Sequence, residues 1–289
     1  MPNSIAKTAG GSGHLVFLLG HPLGHSLSPE MQNAAFRVSR LPWLYVPLDV
    51  TRNRLREVMA AMEVLPVVGA NVTVPFKGDV IPHLDWVERE ADWLGSVNTI
   101  FRKGKKLCGA STDGEGFLRS LGPKRKKLKG SRGLLLGAGG AARSVAGALA
   151  GSGVKWIGIA NRSPQRAADL ARSLSGHYRR LDTASYSFKE AERVLPHCDW
   201  VIQATSLGLK KGDSAPLSLR NAGPSLWVVD LIYHRTTEFL EQARVRRLPR
   251  LNGVEMLLHQ GALSFEKWTG RKAPLGIMRR ELRRRLGSF

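Results

Sequence analysis

Cysteine is nearly absent from this 289-residue chain: Cys108 and Cys198 stand alone, ninety positions apart. Without a CxxC pair or a Cys/His cluster at ligand spacing, neither a disulfide framework nor a metal site is expected. Two isolated thiols fit a reducing compartment, here the cytoplasm, each as a small buried hydrophobe. Long apolar runs are missing as well. Leu15–Leu19 stops at Gly20-His21-Pro22, and the weakly polar stretch Gly133–Asn161 is cut by Arg143 and Lys155, so no membrane span is expected. Met1–Gly13 holds one lysine and no apolar run, which argues against a secretory signal. Acid is scarce: 23 Asp+Glu face 44 Lys+Arg, a net charge of +21. That balance excludes an acidic tail and makes anionic partners worth testing. There is no zinc-finger spacing, no RNP-like aromatic pattern and no basic zipper, so a nucleic-acid partner is not expected.

What is present is ordinary globular composition, 43% hydrophobic and 23% charged, long enough for one large domain or two ordinary ones. The first third alternates strand-like and helix-like segments. His14–Gly20, Trp43–Val50 and Val67–Val74 read as strands, and Ser28–Arg40 and Asn53–Glu63 as helices. Ser28 is expected to be an N-cap, with Pro29 at the first helical position. Val97–Arg102 and Lys106–Thr112 flank Lys103-Gly104-Lys105 as a hairpin. Gly122–Arg132 carries six basic residues and no acid and reads as a linker. Beyond it strands at Gly133–Leu136, Trp156–Ala160, Trp200–Ala204 and Trp227–Leu231 alternate with helices at Ala141–Ala150, Pro164–Leu174 and Thr237–Arg246, the pattern of a parallel sheet. From Gly253 the chain reads as helical, ending in a helix whose Leu275, Met278, Leu282 and Leu286 form an apolar stripe opposite arginines. Two α/β domains are therefore expected.

Gly137-Ala138-Gly139-Gly140-Ala141-Ala142 follows an apolar strand and opens a helix. Gly137 permits a tight turn, Gly139 lets backbone approach a pyrophosphate, and the helix N-terminus offers N–H donors. A NAD-binding unit places an acid about 20 residues on, for the ribose 2′-hydroxyl. Here the second strand ends in Asn161-Arg162-Ser163-Pro164-Gln165-Arg166, with no acid between Lys155 and Ala168. An arginine in a first helical turn opposes the macrodipole, which a bound phosphate would explain. NADP(H) is favoured over NAD(H); two solvated surface arginines are the alternative.

Asn71-Val72-Thr73-Val74-Pro75-Phe76-Lys77 places Lys77 just past a strand's C-terminal end, where open α/β sheets keep their sites. A lysine there can move a proton or be a plain surface cation. Asp113 can cap the following helix or pair with a cation. Ser26 and Ser28, ahead of a helix N-terminus, form a natural carboxylate corner, whereas His21 and His25 read as structural.

These blocks together resemble the shikimate dehydrogenase family, from Leu18 to about Gly270. The matching stretches are GHPLGHSLSPEMQNAAF, GANVTVPFK, GSVNTI, STDGEGF, LGAGGAARS, ANRSPQRA, QATSLGL, VVDLIYHRTTEFL and NGVEMLLHQGALSFEKWTG. The resemblance implies a substrate-binding α/β domain over residues 1–121, completed by helices in 254–289, and a Rossmann-like NADP-binding domain over 122–253, with the active site in the cleft between them. It implies Lys77 and Asp113 as the catalytic pair. Ser26 and Ser28, helped by Tyr233, would hold the substrate carboxylate. Thr73, Asn98, Asp113 and Gln260 would bind ring hydroxyls. Gly137, Ala138, Gly139, Gly140 and Ala141 would form the pyrophosphate loop, Asn161, Arg162 and Arg166 the 2′-phosphate clamp, and Leu231 and Gly253 further cofactor contacts. The implied reaction is reversible reduction of 3-dehydroshikimate by NADPH to shikimate. A relative accepting quinate or NAD(H) is the alternative, against which Ser28 and the Arg162/Arg166 pair speak. A non-catalytic basic binding module on the same fold would fit loss of Lys77 or Asp113, and both are present. His234-Arg235 replaces the family's frequent Asn-Pro, and Ser206 and Leu209 replace Pro and Met, near the expected nicotinamide site. Monomer and homodimer both fit.

Overall fold

A computed structural model describes residues 13–24 and 26–287, so His25 lies outside the described residues. The chain divides into two compact units, 1–112 with 258–289, and 113–257.

In the first unit, β1 (His14–Gly20) leads to α1 (Ser28–Val38), β2 (Trp43–Asp49), a 3₁₀ turn, α2 (Leu55–Val64) and β3 (Val67–Val72). β4 (Trp86–Val87), α3 (Arg89–Trp93), β5 (Thr99–Lys103) and β6 (Lys106–Ala110) complete the sheet. Strand order is β2-β1-β3-β5-β6-β4, parallel around β1 and antiparallel from β3 to β5 to β6. β1 is a continuous apolar run because Val16 to Gly20 are buried on both faces. Leu19, Met59, Met62, Ala70 and Ile100 share its core. The expected hairpin is present: Lys103 pairs with Lys106 across a two-residue turn. β3 ends at Val72 rather than Val74, and Val74–Pro75 is a cis peptide.

Two expectations in this region are corrected. Leu27, not Ser28, occupies the N-cap of α1. The Ser28 N–H donates to Ser26 Oγ at 3.3 Å, a local turn bond, and Ser28 is the first helical residue. The basic stretch at 122–132 is no linker. It forms a 3₁₀ helix, Gly122–Leu128, that anchors on the buried Leu128 and lies inside the second unit.

The second unit opens with α4 (Asp113–Ser120), which packs on a later helix of this unit and so falls here rather than in the first unit. β7 (Arg132–Leu136), α5 (Gly140–Gly151), β8 (Trp156–Ala160), α6 (Pro164–His177), β9 (Asp182–Tyr186), α7 (Phe188–Val194), β10 (Trp200–Gln203), β11 (Trp227–Asp230), α8 (Glu238–Val245) and β12 (Arg250–Leu251) follow. α5 is the helix against which α4 packs. The order is β12-β11-β10-β7-β8-β9, every pair parallel. This is the doubly wound dinucleotide-binding order, with its switch point beside β7. Leu134, Leu136, Val201, Val228 and Phe239 are among the buried side chains of its core. α9 (Val254–Thr269) and α10 (Leu275–Leu286) finish the chain. Met278 and Leu282 of the expected stripe are buried, and α10 packs on α1. No helix among the described residues is long and apolar enough to cross a membrane.

Candidate active site

In the first unit the candidate residues gather at the C-terminal ends of β1 and β3. The Thr73 N–H donates to Leu19 O at 2.8 Å, and the His21 N–H donates to Val74 O at 3.0 Å, which ties the chain after β1 to the chain after β3. His21 Nδ1 is hydrogen-bonded to the Asp49 carboxylate, a structural role as expected. Lys77 is half-buried. Its neighbour Phe76 is fully buried, and Lys77 O accepts from Val97 N at 2.8 Å, so the backbone beneath the lysine is fixed from both sides.

Next to Val97 a buried polar network assembles. Asn98 Nδ2 donates to Thr112 Oγ1 at 2.9 Å and to Gln260 Oε1 at 3.2 Å, while Asn98 Oδ1 accepts from Thr112 N at 2.8 Å. Asn71 Nδ2 donates to Ser264 Oγ at 2.9 Å, and Tyr45 Oη donates to Asn71 Oδ1 at 2.9 Å. Thr99 and Ser264 hydroxyls lie 2.8 Å apart. Asn71, Asn98, Thr99, Thr112 and Ser264 are all buried, where polar groups hold their place only through such bonds. The network brings Asn98 and Gln260 together and turns the Gln260 carboxamide oxygen toward Asn98. Tyr45, Thr99, Thr112 and Ser264 were not picked from sequence. A lone polar residue in a strand or helix carries no local mark of a partner far along the chain.

In the second unit the glycine turn takes the expected form. Gly137 has φ +116°, and a Cβ there would stand 2.9 Å from Ala204 O, so only glycine fits. Gly139 is the N-cap of α5 and has open space where its Cβ would be. That space over a helix N-terminus fits a pyrophosphate. On the neighbouring strand, Asn161 Nδ2 donates to Ser163 O at 3.0 Å, which shapes the turn into α6. Arg162 and Arg166 are exposed on that turn, and the first turn of α6 holds no acid. Arg143, in the first turn of α5, was not picked. It is half-buried and close enough to Arg166 and Asp169 to feel both charges. Burial, first, and Arg166 hold its guanidinium below the usual value, against the pull of Asp169. The signal was available, since the macrodipole argument applied to Arg166 applies equally to a basic residue at this place.

Leu231 and Gly253 come together. Leu231 N donates to Gln203 O at 3.0 Å, Gly253 N donates to Ile232 O at 3.1 Å, and a Cβ on Gly253 would lie 2.0 Å from Leu231 O. Tyr233 is half-buried, edge-on to His234 at 5.8 Å. His234 Nε2 lies 3.1 Å from Leu209 O, so two of the departures from the family pattern touch each other. Below this loop sits Asp230, buried at the end of β11. Its carboxylate accepts from Ile232 N at 3.0 Å and from Thr237 Oγ1 at 2.6 Å. Burial pushes its pKa up to about 6 from 3.8, and the two hydrogen bonds hold it back from rising further.

A folded-state pKa above the unfolded one stabilises the fold below pH 3.8, and that stabilisation disappears as pH rises through about 6. A gap of that size corresponds to about 3 kcal/mol. The urea-unfolding free energy of the native chain is therefore expected to fall between pH 4 and pH 7, relative to Asp230→Asn, by up to about 3 kcal/mol. Parallel pH dependences in the two proteins would remove Asp230 as the cause.

Both cysteines are buried, and burial pushes the Cys198 thiol up to about 12, which leaves it inert at neutral pH.

A parallel sheet in this order, with a glycine turn on its first strand and a basic, acid-free turn on the next, defines a two-unit dinucleotide-dependent dehydrogenase. The comparisons make this specific. The profile of the shikimate dehydrogenase substrate binding domain matches residues 18–100, that of shikimate / quinate 5-dehydrogenase matches 121–235, and that of the shikimate 5′-dehydrogenase C-terminal domain matches 253–283. Shikimate dehydrogenase (NADP(+)) of Moorella thermoacetica is 44% identical over 283 residues, 95% of this chain and 94% of that protein. The structure of shikimate 5-dehydrogenase from Thermus thermophilus, in complex with NADP(H) and shikimate, is 34% identical with a TM-score of 0.84, over 94% of this chain and 100% of that one. Shikimate dehydrogenase from Aquifex aeolicus is 35% identical with a TM-score of 0.86, over 94% and 98%. The chain belongs to the shikimate dehydrogenase family.

Proposed function

We infer that this chain catalyses the reversible NADPH-dependent reduction of 3-dehydroshikimate to shikimate, a step toward chorismate and the aromatic amino acids. The observation that carries the cofactor half is the Gly137 turn beside an arginine-bearing, acid-free turn on the neighbouring strand. Family membership carries the substrate half, and the cluster around Asn98 and Gln260 is consistent with a polyhydroxylated ligand.

When bound, NADPH supplies a hydride to the ring carbonyl carbon. Lys77, as an ammonium, stabilises the charge that develops on the carbonyl oxygen and donates the proton that completes the hydroxyl. Asp113, buried at the start of α4, orients the lysine and accepts from a neighbouring ring hydroxyl. Ser26 and Ser28 grip the carboxylate with help from Tyr233. Thr73, Asn98 and Gln260 take the remaining hydroxyls. These contacts convert binding into orientation. Gly137 to Ala141 and the α5 N-terminus hold the pyrophosphate, while Asn161, Arg162 and Arg166 hold the 2′-phosphate. Leu231 and Gly253 line the nicotinamide end. The buried thiols and this pathway step suit the cytoplasm.

The test is reduction of nicotinamide followed by absorbance, with shikimate or quinate and NADP⁺ or NAD⁺. Rapid turnover with shikimate and NADP⁺ alone is expected. Comparable turnover with quinate or NAD⁺ would replace this reading by a broader quinate/shikimate one.

A further inference from the structure

All six strands of the second sheet point one way, so all begin on the edge opposite the Gly137 turn. β7 alone, five residues long, separates the two edges by about 16 Å. The residues that lead into four of these strands, β7, β8, β9 and β12, are basic, while those that lead into β10 and β11 carry no Lys or Arg. Exposed Arg179 and Arg180 precede β9, exposed Lys155 precedes β8, and the 3₁₀ turn with Lys126 precedes β7. Exposed Arg246 and Arg247 precede β12 at the far end. The segments are hydrogen-bonded side by side: Gly130 N donates to Gly153 O at 2.8 Å, and Asp182 N to Lys155 O at 3.0 Å.

The cations are also held in place. Lys124 and Lys127 Nζ each lie 5.5 Å from the Trp227 ring centre, and the Arg132 guanidinium lies 4.3 Å from that of Trp156. Acid is sparse here. Asp199 receives the Arg132 N–H at 2.8 Å, Asp182 starts β9, and Glu115 reaches Arg125 at 3.6 Å.

Six strands at about 4.8 Å spacing make this edge about 24 Å long, the length of roughly seven base pairs, with cations at the starts of β12, β7, β8 and β9 and with Lys124 and Lys127 beside Trp227 at the start of β11. A long narrow row of cations matches a phosphate backbone. It lacks the apolar residues that enter a bilayer: Val245 is the single exposed large hydrophobic at this edge among the described residues. The tryptophans behind it are buried or half-buried, so they offer no platform for unstacked bases. We propose that this edge binds the phosphate backbone of a nucleic-acid duplex, without reading its sequence, as a second function separate from the dehydrogenase site. It gives much of the +21 charge a place in the fold.

The test is fluorescence anisotropy of a labelled 20-base-pair mixed-sequence DNA duplex with the full chain, at 50 to 200 mM salt. Two quadruple variants remove equal charge: Lys126→Gln/Lys155→Gln/Arg179→Gln/Arg180→Gln at the edge, and Arg56→Gln/Lys272→Gln/Arg280→Gln/Arg283→Gln in the first unit. The native chain is expected to bind at 50 mM and to lose at least 10²-fold on going to about 200 mM salt. The edge variant is expected to bind at least about tenfold more weakly, with the log–log salt slope reduced by about 2 to 4, while keeping native dehydrogenase turnover. The first-unit variant is expected to lose less than about threefold, and saturating NADP⁺ is expected not to displace the duplex. Absence of binding at 50 mM, equal loss in both variants, displacement by NADP⁺, or tighter binding to phosphatidylglycerol vesicles than to the duplex would each overturn the proposal.

Discussion

Lys77→Ala is expected to lower kcat for shikimate oxidation by about 10²- to 10⁴-fold, the range that a positioned acid–base group supplies. In free energy that is about 3–5 kcal/mol of barrier. The loop that carries it is held by its backbone and by the buried Phe76, so removing the side chain leaves the scaffold in place. The KM for NADP⁺ should therefore move little, and the urea midpoint should be that of the native chain. Steady-state kinetics with both substrates varied checks this. Native turnover in Lys77→Ala would end the assigned role.

The second large effect is expected at the cofactor's phosphate end. Arg162→Ala/Arg166→Ala removes two exposed guanidinium groups from the turn into α6. A hydrogen bond to a charged group contributes about 1.5–3 kcal/mol, so the pair corresponds to about 10²- to 10⁴-fold in the KM for NADP⁺. NAD⁺ has no 2′-phosphate, and its KM should stay nearly constant. The ratio of the two constants is the reading. An equal change with both cofactors would mean that the arginines act on the turn itself rather than on the phosphate.

The parts of the fold that were legible are those whose pattern is local. β8 was read to the residue, because Trp156–Ala160 is a short apolar run fully buried between flanking elements. β9 carries no such pattern: Asp182–Tyr186 is an edge strand, half-exposed and without an apolar run. α7 behind it does carry a local mark, the Ser187/Glu190 capping box. α4 packs on α5, a contact that an eight-residue helix does not announce in its own sequence. Ser28 reads as the cap from its place before Pro29, whereas the N-cap is Leu27 and the Ser28 N–H donates to Ser26 Oγ, because a helix start can shift by one residue without changing the local pattern.

The sequence by itself determined the two α/β units, the glycine turn, the arginine-bearing turn two elements later, and the lysine past the end of β3. Each depends on residues within a few turns of one another, where backbone geometry and side-chain chemistry suffice. Only the tertiary structure decided that Asn98 meets Gln260 across 162 positions, that His234 reaches Leu209, that Arg143 stands beside Arg166, and that scattered basic segments form one edge. Those contacts follow from strand order and helix packing, which are set by burying the whole core at once rather than by any stretch of chain alone.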